Sequence, residues 1–157
     1  MSATGMRALE NRFFALVRHR DARAAADAAL AASGLDSLGS REYCLLVTYR
    51  RDGTPVPTPV WFALEDDRLV FMSDSDSAKV RRLRRDPRVR VAPCSSRGRP
   101  LGPPVEGLAR VLSPEDEPAA ERPLARKYGL RRRISERVRP SRPGDAYVEV
   151  RVPEAGQ

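Results

Sequence analysis

The sequence has little of what carries most protein-borne chemistry. It holds one histidine, two cysteines and, among 29 basic residues, only two lysines. One histidine and two distant cysteines are too few to build a protein zinc site. Nor do Cys44 and Cys94 form a disulfide framework; both sit in apolar runs, "YCLLV" and "VRVAPC", where a buried free thiol is the expectation. His19 lies between two arginines at the end of a helical stretch and reads as a solvated terminal residue. HExxH, CxxC, GxSxG, P-loop and GxGxxG patterns are all missing. The acidic groups Glu65-Asp66-Asp67 and Glu115-Asp116-Glu117 fall at turns and helix starts, where solvation and capping account for them. If the chain is an enzyme, a cofactor is expected to supply the reactive group.

Aromatic residues make up 6% of the 157 residues, so burying further surface in an oligomer would help so small a domain. No apolar run is long enough for a membrane span. "DARAAADAALAAS" is too interrupted by charge for a signal-peptide core, and the cytoplasm is the expected compartment.

What the chain has in excess is arginine. A net charge of +8 points to an anionic partner: nucleic acid, a membrane surface, or a phosphorylated or polycarboxylate ligand. An arginine-, alanine- and proline-rich composition also looks like GC-rich coding, which accounts for the amount of charge but not its placement. The basic stretches lack the interleaved aromatics of a stacking platform, leaving a nucleic-acid-binding module as a distant alternative.

Along the chain the period changes near residue 43. Residues 1–40 read as a helical extension: "MRALENRFFALVRHR" has helical spacing, and "DARAAADAALAAS" continues it until Gly34. From there residues 41–157 read as a second unit of short strands. "YCLLVTYR" is a strand, "RDGT" a turn, "PVPTPVWFALE" a second strand, Asp66-Asp67 a turn and "RLVFMS" a third strand. Pro55, Pro57 and Pro59 recur every second residue, which places the second strand at an edge or makes it irregular. The helix "SAKVRRLRR" ends before Pro87; "RVRVAPC" and "VEGLARVLS" are strands flanking a loop. "SPEDEPAAERPLARKYG" reads as a helix that Pro123 must start, kink or break, "RRRISERVR" as a short basic helix, and "DAYVEVRV" as the sixth strand. The expectation is a mainly β (α+β) chain, a six-stranded antiparallel barrel with peripheral helices.

One stretch, "FMSDSDSAKVRRLRRDP", holds a lysine among arginines. Ser73, Ser75, Asp76 and Ser77 precede the helix, and Lys79 falls in its first turn. A cation there is unfavourable for the helix alone, and a phosphate docked on the helix N-terminus would reverse the sign of that cost. An ordinary N-cap followed by a solvated basic helix is the other reading of the same residues.

"GTPVPTPVWFALEDDRLVFMSDSDSAKVRRLRRDPRVRVAPC" resembles the pyridoxamine 5′-phosphate oxidase-like split β-barrel superfamily. More narrowly it is similar to the flavin/deazaflavin oxidoreductase group B, whose members bind the deazaflavin coenzyme F420. The pattern is G-x-P-x-x-x-x-V-W, a turn, an apolar strand, then S-x-K-x-x-x-L-x-x-D-P-R-V; "RGRPLG…VEGLARVL" extends it, and the resemblance covers about residues 40–152. It implies a homodimer with the cofactor at the subunit interface and a small-molecule substrate; no membrane partner is expected, and nucleic acid stays the distant alternative. The cofactor phosphate would meet Ser73, Ser77, Ala78 and Lys79, beside Met72, and the ring would lie along Thr58, Pro59, Val60 and Trp61. Arg82 stands where related deazaflavin binders often carry a polar contact, and its identity departs from them. Arg97 and Arg99, or Arg81, Arg84 and Arg85, are candidates to line a groove for the anionic tail. The implied activity is hydride transfer between reduced F420 and a small organic molecule. FMN or haem on the same barrel is the alternative; Thr58, where flavin oxidases tend to carry arginine, speaks against FMN. No residue is singled out as catalytic acid.

Overall fold

The computed structural model describes residues 20–32, 34–129 and 144–153. Seven strands form one antiparallel sheet: β1 (Tyr43–Tyr49), β2 (Pro55–Trp61), β3 (Ala63–Glu65), β4 (Arg68–Asp74), β5 (Arg88–Cys94), β6 (Val105–Val111) and β7 (Asp145–Arg151). The helices are α1 (Ala24–Asp27), led in by a 3-10 turn at Arg20–Arg23, α2 (Ala78–Arg85) and α3 (Glu117–Tyr128); a second 3-10 turn spans Leu35–Leu38.

The strand order is β2-β1-β5-β6-β7-β4-β3. The two edge strands, β2 and β3, are consecutive in the chain and separated by Phe62 alone. A single residue cannot bridge the two edges of a flat seven-stranded sheet, so the sheet curls until its edges meet at Phe62. That closure is the split barrel, and Phe62 is its seam. The expected six strands become seven because "PVPTPVWFALE" bends there: residues before Phe62 pair with β1 and residues after it with β4. The three prolines sit opposite Tyr49, Val47 and Leu45 on β2, at the sheet edge, where a missing N–H breaks no interior ladder.

Period-two alternation sorts the side chains. Inward-facing Cys44, Leu46, Val60, Leu69, Phe71, Val91, Val148 and Val150 fill the barrel with Phe62. Outward-facing Leu45, Val47, Ala92 and Cys94 are covered by Ala22 and Ala25 of the N-terminal helical segment. Val70 and Tyr147, also outward, are covered by Ala120, Leu124 and Tyr128 of α3. Helix α2 sends Val80 and Leu83 into buried positions across one end. At Gly107 the sheet leaves no room for a side chain: a Cβ would lie 2.8 Å from Val150 and 2.9 Å from the Arg151 carbonyl.

The expected helix from Asp21 to Gly34 ends sooner. Ala28 is already extended, because its carbonyl accepts from Arg90 and the Ala31 N–H donates to Pro104. Helix α3 accommodates Pro123 without breaking. Pro123 has no N–H for the Ala119 carbonyl, and Arg68 Nη2 donates to that carbonyl instead, at 3.1 Å. "MRALENRFFALVRHR", His19 and "RRRISERVR" lie outside the described residues. Among those described, no helix is long and apolar enough to cross a membrane.

Candidate cofactor site

The serine-rich turn and the first turn of α2 form a compact polar cluster. Ser77 caps the helix, its Oγ accepting from the Val80 N–H at 3.4 Å while its own N–H donates to the Asp74 carbonyl. Its Oγ lies 3.1 Å from Ser73 Oγ, and Lys79 Nζ donates to Ser73 Oγ at 3.0 Å. Two hydroxyls, an ammonium and a helix N-terminus thus converge beside Ala78. That donor set suits an anion such as a phosphate, whose charge would offset the cost of a lysine in a first helical turn. Asp76, by contrast, turns into its own loop, its N–H donating to Asp74 Oδ1.

One turn along α2, Arg82 Nε donates to Thr48 Oγ1 at 2.7 Å. Thr48 is buried, and its hydroxyl also lies 3.4 Å from the Val56 carbonyl. The guanidinium is thereby braced on the β1–β2 pair at the end where β2 begins. Arg84 and Arg85 are engaged with the Ser75 and Tyr49 carbonyls, and Arg81 is exposed.

The four residues expected along β2 do not share a face. Val60 belongs to the barrel interior with Cys44 and Leu46, and Thr58, two residues earlier, points to the same side. Pro59 and Trp61 point outward. Trp61 and Met72 both pack on the cluster beneath α3. The indole lies 4.4 Å from the Tyr128 ring at a 30° tilt, and 5.7 Å from Tyr43 edge-on. Trp61 is therefore only partly buried, packed between the α3 cluster and Tyr43.

Arg97 and Arg99 are exposed on the β5–β6 loop, which closes on itself through Ser95. The register puts that loop beside the Cys94–Tyr43–Trp61 row, five residues along from the Val56–Thr48 row where Arg82 is braced. At the rise of an extended strand this is about 17 Å, a span only an elongated ligand would bridge.

The residues that sequence reasoning missed lie at the seam. Lys127 Nζ donates to the Arg41 carbonyl at 2.5 Å and the Phe62 carbonyl at 2.9 Å, and sits 3.8 Å above the Phe62 ring. Burial lowers its ammonium to about 8, with the nearby Glu42 charge opposing the shift. Tyr128 Oη accepts from the Phe62 N–H at 3.0 Å, and its one proton is shared between the Phe62 and Glu42 carbonyls, at 2.6 and 2.8 Å. Burial raises that phenol well above its ordinary value. The signal existed: the scarcity of lysine that draws attention to Lys79 applies equally to Lys127. Burial also raises Cys94, to about 12, and pushes Cys44 well above its ordinary value, so both stay inert thiols. No cluster of metal-ligating side chains occurs among the described residues.

The curled sheet has solved counterparts. An F420 reductase superposes with a TM-score of 0.56 at 24% identity, covering 79% of this chain and 97% of that one. A FAD-binding protein from Mesorhizobium loti gives 0.54 at 17%, covering 76% and 86%. HutZ, the haem storage protein from Vibrio cholerae, gives 0.58 at 11%, covering 76% and 87%. At these identities the likeness is one of fold. No curated protein matches the chain. The pyridoxamine 5′-phosphate oxidase family model, however, matches residues 35–156, seam, serine turn and last strand included, and the chain belongs to that family.

Proposed function

We propose that this protein is an F420-dependent oxidoreductase that transfers a hydride between the reduced deazaflavin and a small organic substrate, working as a homodimer with the cofactor at the subunit interface. The observation that carries this reading is the Ser73–Ser77–Lys79 cluster at the N-terminus of α2. Its donors match a phosphate, and the braced Arg82 adds a second cation on the same helix for a polyanionic ligand. When bound, the deazaflavin would supply the two-electron chemistry at its carbon-5. The chain's own tasks are then to hold the phosphate through Ser73, Ser77 and Lys79, to orient the ring against the outward side of β2 at Pro59 and Trp61, and to exclude water. The similarity of fold to an F420 reductase agrees with this.

A cradle of this kind also accepts the phosphate monoester of FMN, and the FAD-binding neighbour keeps a flavin as the second reading. Titration of the single tryptophan separates the two. Saturable quenching of Trp61 by F420 at micromolar concentration, with FMN much weaker, is the expected result. Tighter FMN binding would move the protein to the flavin reading. No response to either would overturn both, and a Soret band after haem titration would then place it with the haem-handling barrels.

A further inference from the structure

The barrel seam is held from outside by the last turn of α3. Phe62 is the only residue between the two edge strands, and its N–H and C=O are both taken by one helix end: the N–H by Tyr128 Oη, the C=O by Tyr128 Oη and Lys127 Nζ. The same two side chains reach the carbonyls of Arg41 and Glu42, just before β1. Three segments remote in sequence are thus tied at a point next to Trp61, and the Tyr128 ring itself stacks on the indole.

We propose that Lys127 and Tyr128 are positioning residues for the candidate pocket: by clamping the seam at Phe62 they set the orientation of Trp61, its wall. Trp61 is the last residue of β2, paired with Tyr43, and the bend at Phe62 that follows it has no sheet partner of its own, so a loosened seam would let the strand end that carries the indole fray. A peptide group turned away from both ladders must find other partners, and here it finds them in α3. Lysine suits the task because its ammonium rests on the Phe62 ring while donating to two carbonyls that converge from different segments. The charged and titratable groups facing it are Glu42, just before β1, Cys44 of β1 and Tyr128 from its own helix. The Cys44 thiol, pushed far up by burial, stays neutral and leaves the lysine the group that titrates near pH 8.

The proposal rests on the cofactor reading for what the pocket receives, not for what the clamp does to Trp61. The test uses the full chain and its Lys127→Met, Lys127→Arg and Tyr128→Phe variants, each first checked for cooperative thermal unfolding. Emission maximum and acrylamide quenching of Trp61 are then measured without ligand from pH 6.5 to 9.5, followed by titration with F420 and with FMN. In Tyr128→Phe and Lys127→Met the emission is expected to shift to the red with at least about twofold greater quenching, as the indole loosens from α3. The wild type is expected to show a step near pH 8 that Lys127→Met lacks. The affinity for whichever cofactor the wild type binds should fall about five- to tenfold, the equivalent of one hydrogen bond, with Lys127→Arg recovering part of it. Unchanged Trp61 emission and quenching in both variants would overturn the clamp. If Lys127→Met does not fold, Tyr128→Phe, which removes one oxygen, decides the matter alone. If the wild type binds neither cofactor, the functional reading falls and the ligand-free fluorescence still judges the clamp.

Discussion

Lys79 is worth more to a ligand than to its helix. Its ammonium sits in the first turn, where the helix dipole opposes it, and the hydroxyl it donates to, that of Ser73, is neutral. Replacing it with alanine should leave stability within about 0.5 kcal/mol of the wild type, as for other partly exposed substitutions. It should weaken binding of the phosphorylated cofactor by about ten- to a hundredfold, the range of a charge-assisted hydrogen bond. Titration of Lys79→Ala with F420 checks this, and an unchanged affinity removes Lys79 from the site. The cluster is legible in the sequence because Ser73, Ser77 and Lys79 lie within seven residues, close enough for one turn and one helical turn to bring together. Arg82 stands out there as well, but its partner does not: Thr48 is 34 residues away, and nothing in "LLVTYR" marks its hydroxyl as a brace.

Among the elements, α3 depends on a side chain from β4. Arg68 donates to the Ala119 carbonyl that Pro123 leaves without its helical partner, and also to Glu65 at 3.0 Å and Glu149 at 3.2 Å. Its side chain is only 15% exposed. Arg68→Met keeps most of the apolar stem and removes all three bonds. The carbonyl and the Glu149 carboxylate are then left in a buried setting, and a loss of about 3 kcal/mol is expected. Urea unfolding measures it; a loss below about 1 kcal/mol would mean that water replaces the guanidinium. The proline announces a disturbance in the helix, whereas the remedy is invisible in the local sequence, since it comes from a strand 51 residues upstream. The seam shows the same limit from the other side. "PVPTPVWFALE" has strand composition throughout, and only the competing pairings with β1 and β4 reveal that it must break at Phe62.

At the scale of the whole molecule, Glu149 ties three strands together. It lies on β7 between Val70 of β4 and Arg110 of β6, and is 4% exposed. Burial alone would raise its carboxyl, but hydrogen bonds from Arg110 and Arg68, with the charge of Arg151, outweigh this and hold it below the ordinary 4.5. A carboxyl depressed in the folded state stabilises it fully above its unfolded value, and that stabilisation is lost as pH falls through the folded value. The native protein should therefore lose stability below about pH 4.5 more steeply than Glu149→Gln, which starts about 2 kcal/mol lower at pH 7 because a charged acceptor is gone. Thermal midpoints between pH 3 and 7 check both points; parallel profiles would show that other carboxylates govern acid unfolding.

The sequence by itself determined what depends on near neighbours: where strands alternate, where Asp-Gly and Asp-Asp turn the chain, that a triple proline belongs at an edge, and that a serine-capped helix carries an odd lysine. The order of short strands and few helices pointed to a small antiparallel barrel, with one strand too few, and the resemblance to a known family narrowed it to the split barrel. Only the tertiary structure decided which face each β2 residue takes, that the sheet closes through Phe62, and that Lys127 and Tyr128 hold that closure. The physical reason is that local patterns encode conformation, while closure is a contest between remote partners for the same backbone groups. The winners of that contest leave no period in the chain.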